Sequence, residues 1–402
     1  MKVLQINSVC GYGSTGRSAT ELAHALLAQG DECYVAYGQG TTTYKNSFKI
    51  GTKIENHLHN ACSRLFGKQG YYTKNGTSRL IRFIQEIQPD VFHLCNLHGN
   101  YLNLEVLFEY LAKTNKPIVW TLHDCWAFTG KCSHYTAIGC YKWQTQCNHC
   151  PQVKEYPPSL FFDRSEQMFT DKKNWFTAVK NMTIVPVSHW LAGEVKQSFL
   201  AKYPVVPIYN WIDQKVFKPS HSNDRKQYGI DRDAFIILGV SAGWGKDNGK
   251  LHDFIKFSKM LPYDMQVVLV GGTKEPGCIP GNIVHIPYVH ETRELAKIYS
   301  MADVYVHLST EDTFGKVTAE ALACGTPAIV YNSTACPEVV GEGCGFVVEK
   351  RNVKQVIQAI SNIKLAGKQA FSSKCTAFVS EHFNYQKNTV EYLKLYKKVS
   401  NI

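Results

Sequence analysis

The sequence predicts an α/β protein built from two doubly wound parallel sheets, and three observations carry that prediction. Its 402 residues exceed what one hydrophobic core usually serves. Apolar runs alternate with helically spaced stretches from the start, and the alternation breaks and restarts around residues 203–210. A glycine loop, Gly11-Tyr12-Gly13-Ser14-Thr15-Gly16, follows the first apolar run and opens a helical stretch.

In the first half the strands read as 3–8, 32–37, 91–95, 118–122 and 184–187, with helices over 17–28, 77–87 and 104–113. The runs show no strict alternation, as expected of strands covered on both faces. A helix over 189–200 leads to Tyr203-Pro204-Val205-Val206-Pro207, whose two prolines suit a linker. Strands then follow at 234–241, 266–271, 284–287, 303–308 and 327–331, with helices at 251–259, 293–300 and 317–323. Residues 386–399 read as a closing helix with Tyr392, Leu393 and Tyr396 on one side. The expected domains are 1–208, with 386–402 packing back on it, and 209–385.

Composition is that of a soluble globular protein, 44% apolar and 19% charged. No apolar run reaches the roughly 18 residues of a spanning helix. The start, Met1-Lys2-Val3-Leu4-Gln5, turns polar too soon for a signal peptide, so a cytoplasmic protein is expected. The formal charge of +11 suits nucleic acid, an anionic membrane or an anionic substrate. There is no dense basic tail and no nucleic-acid motif, which speaks against nucleic acid. Lys53, Arg64, Lys68, Lys74, Arg79 and Arg82 cluster with Phe66, Tyr71 and Tyr72. That is either a solvated helix face or a patch for an anionic membrane surface.

The glycine loop raises the question of a dinucleotide. Such a site needs an acid at the end of the second strand to hold the ribose. Here the strand ends Val35-Ala36-Tyr37-Gly38-Gln39, without a carboxylate. The loop is therefore expected to cradle an anion or a sugar at a helix start, not NAD.

The informative stretch is Ser309-Thr310-Glu311-Asp312-Thr313-Phe314-Gly315-Lys316-Val317-Thr318-Ala319-Glu320. Acids end a strand, a glycine turn follows, and a helix then carries Glu320. Helix-start amides can hold an anion, and each carboxylate can accept hydroxyl hydrogen bonds from a sugar or a ribose.

On these residues the chain resembles retaining glycosyltransferases of family four, whose signature is E-x7-E. Segments 89–101 and 120–130, with Gly13-Ser14-Thr15-Gly16-Arg17, resemble the capsule and colanic-acid branch. The resemblance spans essentially the whole chain. It implies the GT-B fold: two Rossmann-like domains facing a central cleft, with the C-terminal helix crossing back. It further implies a UDP- or GDP-linked sugar donor on the second domain and an acceptor on the first.

Site roles follow from that resemblance. Glu320 takes the ribose-binding acid's place. Asp312 stands where the family usually has Glu beside the donor sugar, and His123 faces the transferred sugar. Gly13, Ser14, Thr15, Gly16, Thr313, Phe314, Gly315 and Lys316 belong to the donor site, His98 and Arg17 to the acceptor site. The family's diphosphate clamp of Arg and Lys is missing, with Ala242 and Asn248 at those positions. Lys246, in the same loop, is the expected substitute, with Lys250 and Lys316 as alternatives.

Cys132, Cys140, Cys147 and Cys150, spaced C-x7-C-x6-C-x2-C, suit a structural zinc, with disulfides or free thiols as alternatives. No covalent nucleophile and no catalytic cofactor are expected. Retention is then explained by same-face attack, with the leaving diphosphate helping to deprotonate the incoming hydroxyl. The reading is a glycosyltransferase of bacterial surface polysaccharide synthesis acting on a glycan or lipid-linked glycan. A non-catalytic sugar-binding member of an assembly complex and a nucleotide-sugar epimerase are the alternatives.

Overall fold

The structure, a computed structural model, describes residues 1–220, 225–245, 249–273, 275 and 277–401. It divides into two compact units: Met1–Ile208 together with the stretch from Thr389 onward, and Tyr209–Asn388. Each is organised round a six-stranded parallel sheet.

The first unit runs β1 (Lys2–Asn7), α1 (Gly13–Leu27), β2 (Glu32–Tyr37), β3 (Ser47–Lys49), α2 (Lys53–Phe66), α3 (Lys74–Ile87), β4 (Val91–Leu94), α4 (Leu104–Thr114), β5 (Ile118–Leu122), α5 (Ser165–Thr177), β6 (Met182–Pro186) and α6 (His189–Lys196). The strand order is β3-β2-β1-β4-β5-β6. The winding direction therefore reverses between β1 and β4, the kind of point beyond which such sheets bind ligands. β4, β5 and β6 are buried at every position, which accounts for their mostly apolar sequences, broken once in each by His93, Thr121 and Thr183.

Three elements of the first unit escape the sequence pattern. β3 has only three residues. α5 has a weak apolar stripe and buries Lys172. α2 is reversed: it buries Asn56, His59 and Ser63 and exposes Ile54, Leu58, Leu65 and Phe66. The Asn56 amide donates to the Gly38 carbonyl at 2.8 Å, and the Gly70 amide donates to His59 Nε2 at 3.0 Å. Local capping fixes where α2 starts, with Thr52 and Glu55 forming a capping box.

The second unit runs β7 (Phe235–Trp244), α7 (Gly249–Ser258), β8 (Met265–Thr273), β9 (Ile283–Ile286), α8 (Thr292–Met301), β10 (Val304–His307), α9 (Lys316–Ala323), β11 (Ala328–Tyr331), β12 (Gly345–Val348), α10 (Val353–Ala366) and α11 (Gln369–His382). Its order is β12-β11-β10-β7-β8-β9, so the reversal falls between β10 and β7. Aliphatic and aromatic side chains from β7, β8, β10 and β11 pack with α7 and α10 as one core.

The closing helix α12 (Tyr385–Ser400) buries Tyr392 and Tyr396 in the first unit. His93, on β4, holds them. Its Nδ1 lies 2.7 Å from the Tyr396 hydroxyl and its Nε2 2.8 Å from Thr121 Oγ1. Thr121 Oγ1 is in turn 3.0 Å from the Tyr392 hydroxyl. Burial, assisted by the charge of His123, lowers His93 to about 3. The ring is therefore neutral, with one nitrogen donating and the other accepting. Tyr396→Phe should leave one of those nitrogens unanswered. It should lower the unfolding free energy by about 1–3 kcal/mol, read from the urea midpoint.

Candidate active site

The site in the second unit begins where β10 ends. Residues 308–315 leave the strand and α9 takes over at Lys316. Gly315 is its N-cap with φ +86°, a left-handed conformation that glycine adopts without strain. Asp312 organises the turn. Its Oδ1 accepts from the amides of Phe314 at 3.2 Å and Gly315 at 2.9 Å. Its Oδ2 lies 3.1 Å from His307 Nε2. The Asp312 amide donates to Thr334 Oγ1 at 3.0 Å.

Burial pushes the Asp312 carboxyl up, but the His307 hydrogen bond and charge, the Phe314 amide and the Lys250 charge outweigh it and hold the group at about 2. Burial also lowers His307, so a neutral imidazole N–H meets a carboxylate. Asp312 thus spends both oxygens on shaping the turn.

Glu320 lies on α9 and is buried, with the Tyr299 hydroxyl donating to its Oε2 at 3.3 Å. Thr313 is buried and Lys316 half-buried. The Phe314 ring is packed edge-on against Phe383 at 5.1 Å, so this residue can meet a ligand only through its backbone. Lys250, in the first turn of α7, is close enough to Asp312, His307 and Cys336 for its charge to act on all three. The structure thereby brings Lys250 to the acidic turn. Lys246 lies outside the described residues. His307 and Thr334 were missed by sequence reasoning: one reads as a strand residue, and the other is distant along the chain.

In the first unit, α1 starts at Gly13, so Gly13, Ser14, Thr15, Gly16 and Arg17 form its first turn. Its N-cap, Tyr12, supplies no side-chain hydrogen bond and the turn carries no acid. Those amides are disposed to favour an anion. Gly16 is required by packing, since a Cβ there would lie 3.0 Å from Val9 Cγ2 and 3.2 Å from its backbone. The end of β2 is closed by Tyr101: a Cβ on Gly38 would fall 2.1 Å from Tyr101 Cγ.

His123 and Asp124 follow β5, and His98 lies beyond β4. His98 Nε2 is 2.8 Å from Asp124 Oδ2, and its Nδ1 is 3.0 Å from the Tyr156 hydroxyl. Asp124 and Tyr156 were not singled out from sequence. Asp124 directly follows a residue that was, and that adjacency was the available signal.

The loop bearing Cys132, Cys140, Cys147 and Cys150 holds free thiols. Among the described residues no three His, Cys, Asp or Glu side chains are placed to hold a metal. Burial pushes Cys132 to about 12 and Cys147 to about 11. The loop has another source of order. Trp143 packs on Phe128 and Tyr135, with centroids 4.9 and 5.1 Å away. Buried Lys131 donates to the carbonyls of Gln152, Val153 and Glu155 at 2.9, 2.7 and 3.2 Å. Buried Lys172 donates to the Trp126 carbonyl.

Comparison with known proteins matches both units. Residues 15–216 fit the model described as Glycosyltransferase Family 4, and residues 222–370 fit Glycosyl transferases group 1. The chain is 26% identical over 421 aligned positions to a protein of Escherichia coli K12 designated a colanic acid biosynthesis glycosyl transferase, WcaC, covering 99% of this chain and 100% of that one. It is 24% identical to the Salmonella typhimurium O-antigen chain mannosyltransferase RfbU, over 74% of this chain and 91% of that one. Among solved structures it superposes on the sucrose-phosphate synthase of Thermosynechococcus elongatus, with TM-score 0.72, 17% identity and 99% of each chain covered. It also superposes on Anabaena HepE in complex with UDP, with TM-score 0.69, 16% identity, and 99% of this chain and 100% of that one covered. At those identities the structural likeness establishes the GT-B fold.

The Asp312 carboxyl, ordinarily at 3.8 and here at about 2, contributes stability above its ordinary value and loses it as pH falls from about 4 to about 2. That share is about 2 kcal/mol. Asp312→Asn should flatten the dependence of unfolding free energy on pH across that window, measured by urea unfolding at stepped acid pH.

Proposed function

The chain belongs to glycosyltransferase family 4, and from that premise we propose that it is a retaining enzyme. It would move a sugar from a UDP- or GDP-linked donor to a hydroxyl of a glycan or lipid-linked glycan in bacterial surface polysaccharide synthesis. The observation that carries this reading is the 312–320 segment. There Asp312 pins a tight turn at the amino end of a helix, and that helix bears the buried acid Glu320. HepE, solved with UDP and with UDP-glucose, supports the nucleotide-sugar donor.

In this reading the second unit binds the donor. Glu320 accepts from ribose hydroxyls. Thr313, Phe314 and Gly315 offer backbone groups to the donor, and Lys316 adds charge beside the turn. Lys250 neutralises the diphosphate, a task it shares with Lys246. Asp312 keeps the turn in shape beside the donor sugar. In the first unit the opening turn of α1, from Gly13 to Gly16, presents amides to the donor's negative charge. His123 faces the transferred sugar, and His98 and Arg17 serve the acceptor.

The acceptor attacks on the face from which the diphosphate leaves, which preserves the anomeric configuration. Fixing two reactants in register supplies roughly 7–11 kcal/mol of the barrier reduction. Charge stabilisation of the leaving group by Lys250 and the helix-start amides supplies more.

Peripheral contact with an anionic membrane, at the inner face of the cell membrane, belongs to the same proposal. The sequence patch is narrowed here, since Arg79 is paired with Glu55 and the Tyr71 hydroxyl donates to Asp171 at 2.8 Å. The remaining surface is the reversed face of α2, where Ile54 is 72% and Leu58 60% exposed, together with Phe161 at 72%. Lys53 and Arg64 are exposed on the same helix. Apolar side chains among basic ones suit a layer of anionic headgroups. Among the described residues no helix is long and apolar enough to cross a membrane.

Titration calorimetry should detect binding of at least one of UDP, GDP, UDP-glucose and GDP-mannose. Glu320→Gln should weaken it about tenfold or more, which is ~1.4 kcal/mol. Folded wild-type protein that binds none of them at millimolar concentration would end this reading. Sedimentation with phosphatidylglycerol vesicles should carry the protein down, and phosphatidylcholine vesicles should not. Leu58→Glu with Phe161→Glu should abolish the effect, and equal recovery of variant and wild type would remove the membrane surface.

A further inference from the structure

We propose that Asp124, His98 and Tyr156 form a proton relay ending on the Tyr156 hydroxyl, and that this hydroxyl receives the hydroxyl of the sugar acceptor. The proposal rests on the glycosyl-transfer reading and routes the acceptor's proton through Tyr156 and His98 on its way to the leaving diphosphate, where the sequence reading had a direct transfer.

Topology makes the relay possible. β4 and β5 are neighbours in register, with Leu94 paired to Trp120, so the segments leaving their carboxyl ends run side by side. One carries His98 and the other Asp124. Asp124 Oδ1 accepts the Trp126 amide at 2.9 Å, which leaves Oδ2 for His98 Nε2 at 2.8 Å. On the far side of the ring, Nδ1 meets the Tyr156 hydroxyl at 3.0 Å. The Asp124 and His98 side chains are 17% and 13% exposed, whereas Tyr156 is 50% exposed. The chain of hydrogen bonds thus runs from a sheltered carboxylate outward to an accessible phenol.

The direction of each bond follows from charge. Burial pushes the Asp124 carboxyl up, but the charge and hydrogen bond of His98, the Trp126 amide and the charge of His134 outweigh this and hold it at about 2. Asp124 is then a carboxylate and can only accept, so Nε2 carries the ring proton. With Nε2 donating to Asp124, the second ring nitrogen, Nδ1, is the one that can accept from Tyr156. Burial raises the phenol above its ordinary range, Asp124 adding to the effect, so Tyr156 keeps its proton at rest. Its oxygen retains lone pairs for an incoming hydroxyl.

A second observation points to a ligand beside Tyr156. The Gln69 amide is 2% exposed, and neither its Nε2 nor its Oε1 has a hydrogen-bond partner of good geometry. It lies within hydrogen-bonding reach of the Tyr156 phenol, and this contact opposes the upward push of burial without cancelling it. Beyond that contact the buried amide has hydrogen-bonding capacity to spare, which a polyhydroxylated ligand would fill.

The step balances. The acceptor O–H gives its proton to the Tyr156 oxygen while Tyr156 passes its own proton to His98 Nδ1. The freed electron pair on the acceptor oxygen forms the bond to the anomeric carbon. The bond from that carbon to the diphosphate oxygen breaks, and its electrons leave on the diphosphate. The resulting imidazolium is stabilised by Asp124 and then returns its proton to the diphosphate or to water. Asp124 acts through His98 and is a positioning residue, in the manner of a carboxylate that orients an imidazole.

The test uses the full chain and reads release of nucleoside diphosphate from UDP-glucose, UDP-N-acetylglucosamine and GDP-mannose. Water and octyl β-glucoside serve as acceptors. Tyr156→Phe and His98→Gln should each lower kcat about 100-fold, the range of general-base catalysis, with donor affinity by calorimetry unchanged. Asp124→Asn should behave alike, and Asp124→Glu should restore part of the loss. If Asp124→Asn fails to fold, exposed Tyr156→Phe still decides the matter. A Tyr156→Phe rate within threefold of wild type would overturn the relay and leave the glycosyl-transfer reading standing. Wild-type protein that binds a donor yet releases nothing with either acceptor would overturn both.

Discussion

A carboxylate placed just past the end of a parallel strand can answer the amides of the next few residues with one oxygen and an imidazole with the other. This chain uses that arrangement twice. In the second unit Asp312 accepts the amides of Phe314 and Gly315 and pairs with His307. In the first, Asp124 accepts the amide of Trp126 and pairs with His98. Both carboxyls are held at about 2. Each therefore stays ionised in a partly dry site, where an unanswered charge would be prohibitive. The turns at the two strand ends depend on these carboxylates, and the candidate ligand-binding groups depend on the turns.

The glycine loop shows how the same fold declines a different ligand. Gly13 to Gly16 open a helix whose first turn has no acid and no side-chain cap, which suits a negative group. The neighbouring strand end, where a dinucleotide site would carry an acid for the ribose, instead meets Tyr101 against Gly38. The Gln39 side chain there donates to the Gly99 carbonyl at 2.9 Å.

Two features reverse ordinary expectations for reasons of polarity. α2 turns Asn56, His59 and Ser63 inward because the backbone groups of Gly38 and Gly70 and the hydroxyl of Thr73 need partners there. Its apolar residues are left outside. Two buried lysine side chains, Lys131 and Lys172, gather four carbonyls around the cysteine-bearing loop, and packed aromatic rings add to its order.

The order of strands and helices was legible because strands buried on both faces must be apolar and the helices between them must carry a stripe. The end of β2 at Tyr37 and both bounds of β5 were read to the residue. The acidic turn was legible too, since Asp312, Gly315 and Glu320 lie within one strand-turn-helix and their spacing is local. Also missed were β12, α10 and α11, although α10 buries a regular stripe of Val353, Val356, Ala359, Ile360 and Ile363; the other misses lack an ordinary period. α2 has an inverted stripe, and β3 is three residues long. The fixing of α12 by His93 joins residues 303 positions apart. His98 and Asp124 stand 26 positions apart, and Tyr156 is 58 from His98. Composition and spacing determined which residues could do chemistry. Only the tertiary structure decided which ring nitrogen meets which carboxylate, because that choice is made by strand order and by the need to satisfy every buried polar atom, neither of which is written along the chain.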